Sequence, residues 1–183
     1  MKTVILPSFA ECLRFASSFT STNSRYPLGV YCDPDCTLVA TDGERIGTVK
    51  CHTIPAWAVG KILTLDLIVA LLKLKDNSWT ACNSLEEVTQ VLGIEPQFDN
   101  GRFVDYKRIT ETVPFTHTET EEARLSYDPQ YVYNAEKAYH KLVRPRTKSM
   151  TNIKWNRNVD SKRLTYKDEL VTIVIAGKRD YPI

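Results

Sequence analysis

Several things are scarce in this sequence, and each scarcity removes a class of function. Glycine numbers only seven in 183 residues. No P-loop and no G-x-G-x-x-G pattern occurs, so loops that cradle nucleotide phosphates are not expected. Histidine numbers three (His52, His117 and His140). None lies in a nucleophile motif, and no G-x-S-x-G is present. Asp42, Asp99 and Asp105 are too scattered to read as paired acids. No catalytic residue is assigned, and the chain is not expected to be an enzyme.

A strong charge of either sign is also missing. Lys and Arg total 24 against 22 Asp and Glu, a formal net charge of +2. That excludes a simple polybasic nucleic-acid binder but leaves room for a basic face offset by acidic surface such as Glu119–Glu122. No apolar run reaches the ~18 residues of a membrane span. The richest, Ile62 to Leu74, is broken by Thr64, Asp66 and Lys73. The first ten residues hold one Lys, a short apolar run and Pro7, which is not a secretory leader pattern. Five cysteines is an odd number in a chain long enough to bury a core without staples, so reduced thiols and a cytoplasmic location are expected. Cys32, Cys36, Cys51 and His52 do not have the spacing of a standard zinc site, so neither metal nor cofactor is expected.

What is present is a pattern written three times at intervals of roughly 60 residues, too long for the usual solenoids. A short apolar strand leads into a cap-like residue and an amphipathic helix. The strands are Thr3–Leu6, Lys61–Thr64 and Ala123–Tyr127. In the first helix Phe9, Cys12, Leu13, Ala16 and Phe19 share a face. The second, Leu65–Lys73, is apolar on nearly every side, as expected of a buried or interfacial helix. The third opens on an N-cap Asp128 with Pro129 at the first helical position. Its apolar face is Tyr131, Ala135, Ala138, Tyr139 and Leu142, and Asn134, Lys137, Lys141 and Arg144 lie opposite.

Short strands are expected after each helix. After the first come Leu28–Cys32, Thr37–Thr41 and Arg45–Cys51, with a hairpin tip at Asp33-Pro34-Asp35. After the second come Ser78–Cys82, Glu87–Leu92 and the pair Gln97-Phe98. After the third come Thr151–Asn156, Leu164–Tyr166 and Leu170–Ala176. The unit reads βαβββ, an α+β architecture with helices on one face of antiparallel sheets. It divides the chain into halves at about 1–58 and 59–111, forming one domain, and an added half at 112–183.

Two stretches resemble a known family. Ala40-Thr41-Asp42-Gly43-Glu44-Arg45-Ile46 is similar to the ATDGxR(L/I) motif of the bacterial DNA polymerase sliding clamp, the beta subunit of the replicative polymerase. Asn100-Gly101-Arg102-Phe103-Val104-Asp105-Tyr106-Lys107-Arg108-Ile109 is similar to that family's DGRFPDYRRV segment. The two occur in the family's order, with a strand and helix between them. The likeness covers one complete clamp domain to about Ile109, and the remainder is similar to the second half of the family's last domain. Tyr127–Val132 stands in place of its FNxxYL helix entry, and the terminal strand departs from its MPMRL-type tail.

The resemblance implies a non-enzymatic processivity factor: a ring threaded by duplex DNA, with sheets outside and helices inside. Family rings total twelve βαβββ halves. This chain supplies three, so a homotetramer is implied, in a shortened form such as a phage encodes. An odd number of halves leaves one sheet edge and helix face bare, which independently favours self-association. Sequence-independent DNA holding needs long cations facing phosphates. The candidates are Arg14, Arg25, Lys73, Lys75, Lys137, Lys141, Arg144, Arg146 and Lys148. Solvated helix faces and C-terminal cations complementing the macrodipole are the plainer reading of Lys73 and Lys75.

By the same resemblance, a polymerase or other replication protein would dock a peptide in a pocket beside the ATDG motif. Its candidate lining is Leu28, Thr41, Gly43, Arg45, Ile46, Val104, Arg108, Ile109, Val174 and Ile175. Against this, Asp42-Gly43 is also a plain turn signal, Leu28 and Ile46 suit any sheet core, and Asp105 and Tyr106 suit a strand-end pin. Glu44 and Val104 depart from the family's residues. The alternative function is a clamp-derived interaction module that no longer encircles DNA.

Overall fold

The computed structural model describes residues 6–20, 29–113, 127–143, 153–158 and 163–177. The first helix, α1 (Phe9–Ser17), is started by a reciprocal cap. The Ser8 amide donates to Glu11 Oε2 at 2.8 Å, and the Glu11 amide donates to Ser8 Oγ at 3.4 Å. Its face Phe9, Cys12, Leu13, Ala16 is buried, and Phe19 continues it past the helix end. The meander β1 (Gly29–Asp33), β2 (Thr37–Thr41) and β3 (Arg45–Lys50) follows, with the expected hairpin tip. There Asp33 Oδ1 accepts the Asp35 amide at 2.9 Å, and Cys36 takes a left-handed φ of 64°.

The middle unit departs from the expected pattern. β4 (Ile62–Thr64) leads into α2 (Leu65–Lys73), capped by Thr64. The expected strand at Ser78–Cys82 is a 3-10 turn (Ser78–Ala81), and that at Glu87–Leu92 lies within α3 (Leu85–Leu92). Local chemistry explains the second reversal. Ser84 Oγ accepts the Glu87 amide at 3.2 Å, and Glu87 Oε2 accepts the Asn83 amide at 2.8 Å. Gly93, at φ 69°, ends the helix in the left-handed region. Leu85, Val88 and Leu92 pack inward at helical spacing. The unit is therefore not βαβββ. Of its strands, β4 and the two-residue β5 (Phe98–Asp99) join the sheet, and the short α4 (Tyr106–Thr110) follows.

The third unit carries α5 (Pro129–Val143), β6 (Asn156–Asn158), β7 (Arg163–Lys167) and β8 (Val171–Ala176). Asp128 Oδ1 accepts the Gln130 amide at 2.8 Å, as an N-cap should. The expected first strands at Thr3–Leu6 and Ala123–Tyr127 lie almost wholly outside the described residues.

All described strands form one antiparallel sheet, ordered β5-β4-β1-β2-β3-β8-β7-β6. The pairing of β3 with β8, Ile46 opposite Val174 and Arg45 opposite Ile175, welds the first unit to the third. One face is covered by helices, with α1 packed between α2 and α5. Leu38, Ala40, Val49, Leu164, Ile173 and Ile175 point into this main core. Gly47 is required there, because a Cβ would lie 2.4 Å from the Phe19 ring. The opposite face carries a smaller cluster of Val39, Ile46 and Val174 under Tyr106 and Val113.

Candidate functional site

The candidate residues fall on opposite faces because strand side chains alternate. On the helix face, Arg14 of α1 and Lys141 of α5 are exposed and line one groove of about 450 Å³ with Glu11, Ser17 and Ser18. Arg14 Nη2 also donates to Asn77 Oδ1 at 3.1 Å. Lys137 is exposed one turn before Lys141, its Nζ 5.6 Å from the Tyr133 ring centre. Tyr133 is itself 56% exposed. Lys73 and Lys75 are exposed at and after the end of α2, on the far side of α1. The structure thus brings Arg14 and Lys141 to one groove, with Lys137 one turn along α5, and carries Arg14 also to Asn77, two residues after Lys75. Arg25, Arg144, Arg146 and Lys148 lie outside the described residues.

α5 is fastened to the sheet by polar contacts at its inner edge. The Tyr139 and Tyr166 hydroxyls both donate to Asp168 Oδ2, at 2.9 and 2.8 Å. Asp168 Oδ1 accepts the Leu170 and Val171 amides. Burial is the main cause that pushes the Tyr139 hydroxyl up to about 12, so it stays a neutral donor. Trp155 Nε1 donates to Glu136 Oε1 at 2.9 Å. This leaves one helix face fixed and the lysine face turned outward.

On the other face, the turn from Thr41 to Arg45 is built by its own side chains. Thr41 Oγ1 donates to the Arg45 carbonyl at 2.7 Å and accepts the Gly43 amide at 3.0 Å. Asp42 Oδ1 accepts the Glu44 and Arg45 amides. Gly43 takes φ 87°, where a side chain would be strained. Beside the turn, Ile46 and Val174 are buried and meet half-buried Val104 and Ile109. Arg108 is exposed at the margin. Thr41, Gly43, Ile46, Val104, Arg108, Ile109 and Val174 therefore share one region. Leu28 lies outside the described residues.

Two candidates do not belong to that face. Ile175 is fully buried in the helix-side core, because it stands one residue beyond Val174 on β8. Arg45 likewise faces the helices, one residue before Ile46. It is 8% exposed and paired with Asp42 Oδ2 through Nη2 at 2.6 Å and Nε at 2.8 Å. Neither side chain is available to an outer-face pocket.

The sequence reading missed a neighbouring set of aromatic residues. Tyr31 of β1 stacks on Phe103, with ring centres 5.2 Å apart at 21°. Both line an open groove of about 700 Å³ that runs along residues 98–107. The signal for Tyr31 was present, since it alternates with the core residues Val30 and Cys32. Tyr106 pins α4 to the β1–β2 hairpin by donating to Asp33 Oδ2 at 2.9 Å, which accords with a strand-end pin. Lys107 Nζ reaches Asp33 at 3.5 Å and Asp35 at 2.9 Å. Burial works to raise Asp33, but the Asp35 amide, the Tyr106 hydroxyl and Lys107 together hold it below the ordinary carboxylate range. Asp105 caps α4 by accepting the Arg108 amide at 3.4 Å.

Among the cysteines, Cys12, Cys32 and Cys51 are buried in the main core. Cys51 is held down to about 7, chiefly by a hydrogen bond with Cys12. Among the described residues, no three His, Cys, Asp or Glu side chains are grouped to hold a metal ion. No helix among them is long and apolar enough to cross a membrane.

No family model matches the chain, and no curated protein matches it in sequence. Its fold is similar to a solved structure, DNA polymerase III subunit beta from Borrelia burgdorferi in complex with a natural product. The TM-score is 0.55 at 12% sequence identity, over 95% of this chain. The chain spans 62% of the length of that subunit. The likeness is one of fold, a clamp-like arrangement of an antiparallel sheet backed by helices.

Proposed function

We propose that this chain is a sliding clamp-like processivity factor, a non-enzymatic ring that surrounds duplex DNA without reading its sequence. The observation that carries this reading is the division of labour across one sheet. Exposed cations stand on the helices of one face, and an apolar cluster beside the Thr41–Arg45 turn stands on the other. The clamp-like fold and the two sequence motifs support it. Arg14, Lys137 and Lys141 hold phosphates loosely, because each is an exposed cation at the end of a long side chain. Lys73 and Lys75 extend the same positive layer, and Arg25, Arg144, Arg146 and Lys148 are proposed to add to it. The edge of the outer cluster, where half-buried Val104 and Ile109 and exposed Arg108 border buried Thr41, Ile46 and Val174, takes a short apolar peptide of a polymerase or other replication protein.

A ring demands more than one chain, since one and a half clamp domains cannot surround a duplex. We propose a homotetramer, with residues 1–111 as one clamp-like domain and 112–183 as the added half. A cytoplasmic setting, as for a phage-encoded replication protein, fits this reading. The decisive experiment is retention on DNA of different topology. The ring should stay on nicked circular plasmid through a salt wash and be lost when the plasmid is linearised. Equal retention on both forms overturns the encircling function.

One observation favours the second reading, a clamp-derived module that does not encircle DNA. The middle unit has helix where two of its four expected strands would stand, so it offers a smaller sheet for ring contacts. Under that reading the peptide site remains and topology-dependent retention is absent.

A further inference from the structure

Arg45 was a candidate for the peptide site, yet its guanidinium lies on the opposite side of the sheet. There its Cζ stands 4.4 Å from the centre of the Tyr131 ring and 5.7 Å from that of Phe19. Tyr131 is in the first turn of α5, the helix that presents Lys137 and Lys141. Asp42 grips the guanidinium from below through two contacts on one oxygen. Burial, and after it the neighbouring Glu44 carboxylate, raise the Tyr131 hydroxyl pKa. A single turn of the first unit therefore clamps the start of a helix belonging to the third.

Burying an ion pair is costly unless geometry repays it. Arg45 Nη1 is buried and has no hydrogen-bond partner among the described residues. A lysine would satisfy Asp42 without that orphaned nitrogen. What lysine lacks is a flat, weakly hydrated cation that lies on an aromatic face. The other fastenings of α5, through Tyr139 and through Glu136 with Trp155, come from the third unit itself or its own strands. Among the described residues, the Arg45–Tyr131 stack is a polar fastening that refers α5 back to the first unit, where α1 and Arg14 sit.

We propose that Arg45 is a positioning residue. It seats the first turn of α5 so that Lys137 and Lys141 face the same phosphate path as Arg14. This inference rests on the DNA-holding reading for its consequence, but not for its geometry.

The test pairs amide hydrogen exchange with binding of a fluorescent duplex oligonucleotide over a range of salt. The variants are Arg45→Met, Arg45→Lys, Tyr131→Leu, the Arg45→Met/Tyr131→Leu pair, and Lys137→Glu/Lys141→Glu. Arg45→Met should speed exchange in the first two turns of α5 while α1 keeps its protection. It should weaken duplex binding by up to about thirtyfold, the size of a desolvated cation–π contact. The salt slope should not change, because the bound state still makes the Lys137 and Lys141 contacts and the variant loses affinity only by having to reseat the helix on binding. Tyr131→Leu, which leaves the Asp42 ion pair intact, should do the same, and the pair should be no weaker than either alone. Arg45→Lys should fail to restore wild-type affinity.

Wild-type exchange in Arg45→Met and Tyr131→Leu overturns the proposal. So does a salt slope reduced by about one, which would make Arg45 a phosphate contact. Multiplying effects in the pair overturn it as well. Unaltered binding by Lys137→Glu/Lys141→Glu overturns the DNA reading instead, and the exchange data then decide the seating of α5 alone.

Discussion

The two faces of the sheet are built from the same alternation but completed in different ways. The helix face is sealed by α1, α2 and α5 over a continuous core that includes Phe9, Leu13, Phe19, Leu71 and Ile173. Its cations stand on the far side of those helices, clear of the core. The outer face is covered by the short α4 and its flanking loop, whose Tyr106 and Val113 lie on Val39, Ile46 and Val174. What holds α4 there is polar: Tyr106 to Asp33, and Lys107 to Asp33 and Asp35. Deep packing makes a rigid support for a diffuse charged surface, and light fastening makes a surface shaped by individual side chains.

The comparison is broken most severely from the helix face. Phe19→Ala removes a fully buried ring that underlies Gly47 and meets Arg45 and Phe15. The loss should be about 3–5 kcal/mol in urea unfolding. A loss near 1 kcal/mol would mean that the core collapses into the space and is less tightly packed than described.

Reversing the surface charge should leave stability alone and change binding. Arg14→Glu/Lys137→Glu/Lys141→Glu should lower duplex affinity on the order of 100-fold or more and reduce the salt slope by about three. Arg108→Glu, on the outer face, should leave both unchanged. If Arg108→Glu weakens duplex binding as much as the triple variant, the separation of the faces fails.

A smaller effect is expected at the outer fastening. Tyr106→Phe deletes the hydroxyl that donates to Asp33, and should cost about 1 kcal/mol or somewhat more, since the acceptor is a carboxylate. The smallest effect is the pH dependence of the same site. Asp33 is held below the ordinary carboxylate range when folded, so its contribution is complete above the unfolded pKa and is lost as pH falls through the folded one. Asp33→Asn should therefore flatten that part of the acid limb of stability measured from pH 7 downward. An unaltered acid limb would show that Asp33 titrates normally.

Much of this organisation was legible in the sequence. Ser8 with Glu11 and Asp128 with Pro129 announced two helices, and the apolar positions behind them are the ones buried. Strands β1, β2, β3, β7 and β8 stood out by β-branched content between turn residues. The middle unit was misread because a repeated pattern was extended over local signals that contradicted it. Ser84 and Glu87 form a capping pair and Gly93 a helix stop, and Leu85, Val88 and Leu92 follow a helical period. The candidate site was legible only to the level of a neighbourhood. The family resemblance groups Arg45, Ile46, Val174 and Ile175 in one site, but strand register decides which face each one meets. That register depends on the β3–β8 pairing, which joins residues more than 120 apart in the chain and leaves no local trace.

The proposal that this chain closes into a ring is tested most directly by its mass in solution, measured by light scattering on the eluting peak of a size-exclusion column. A ring of the proposed kind gives four chain masses, unchanged on dilution through the range where duplex binding is measured. A mass of one or two chains across that range would contradict it.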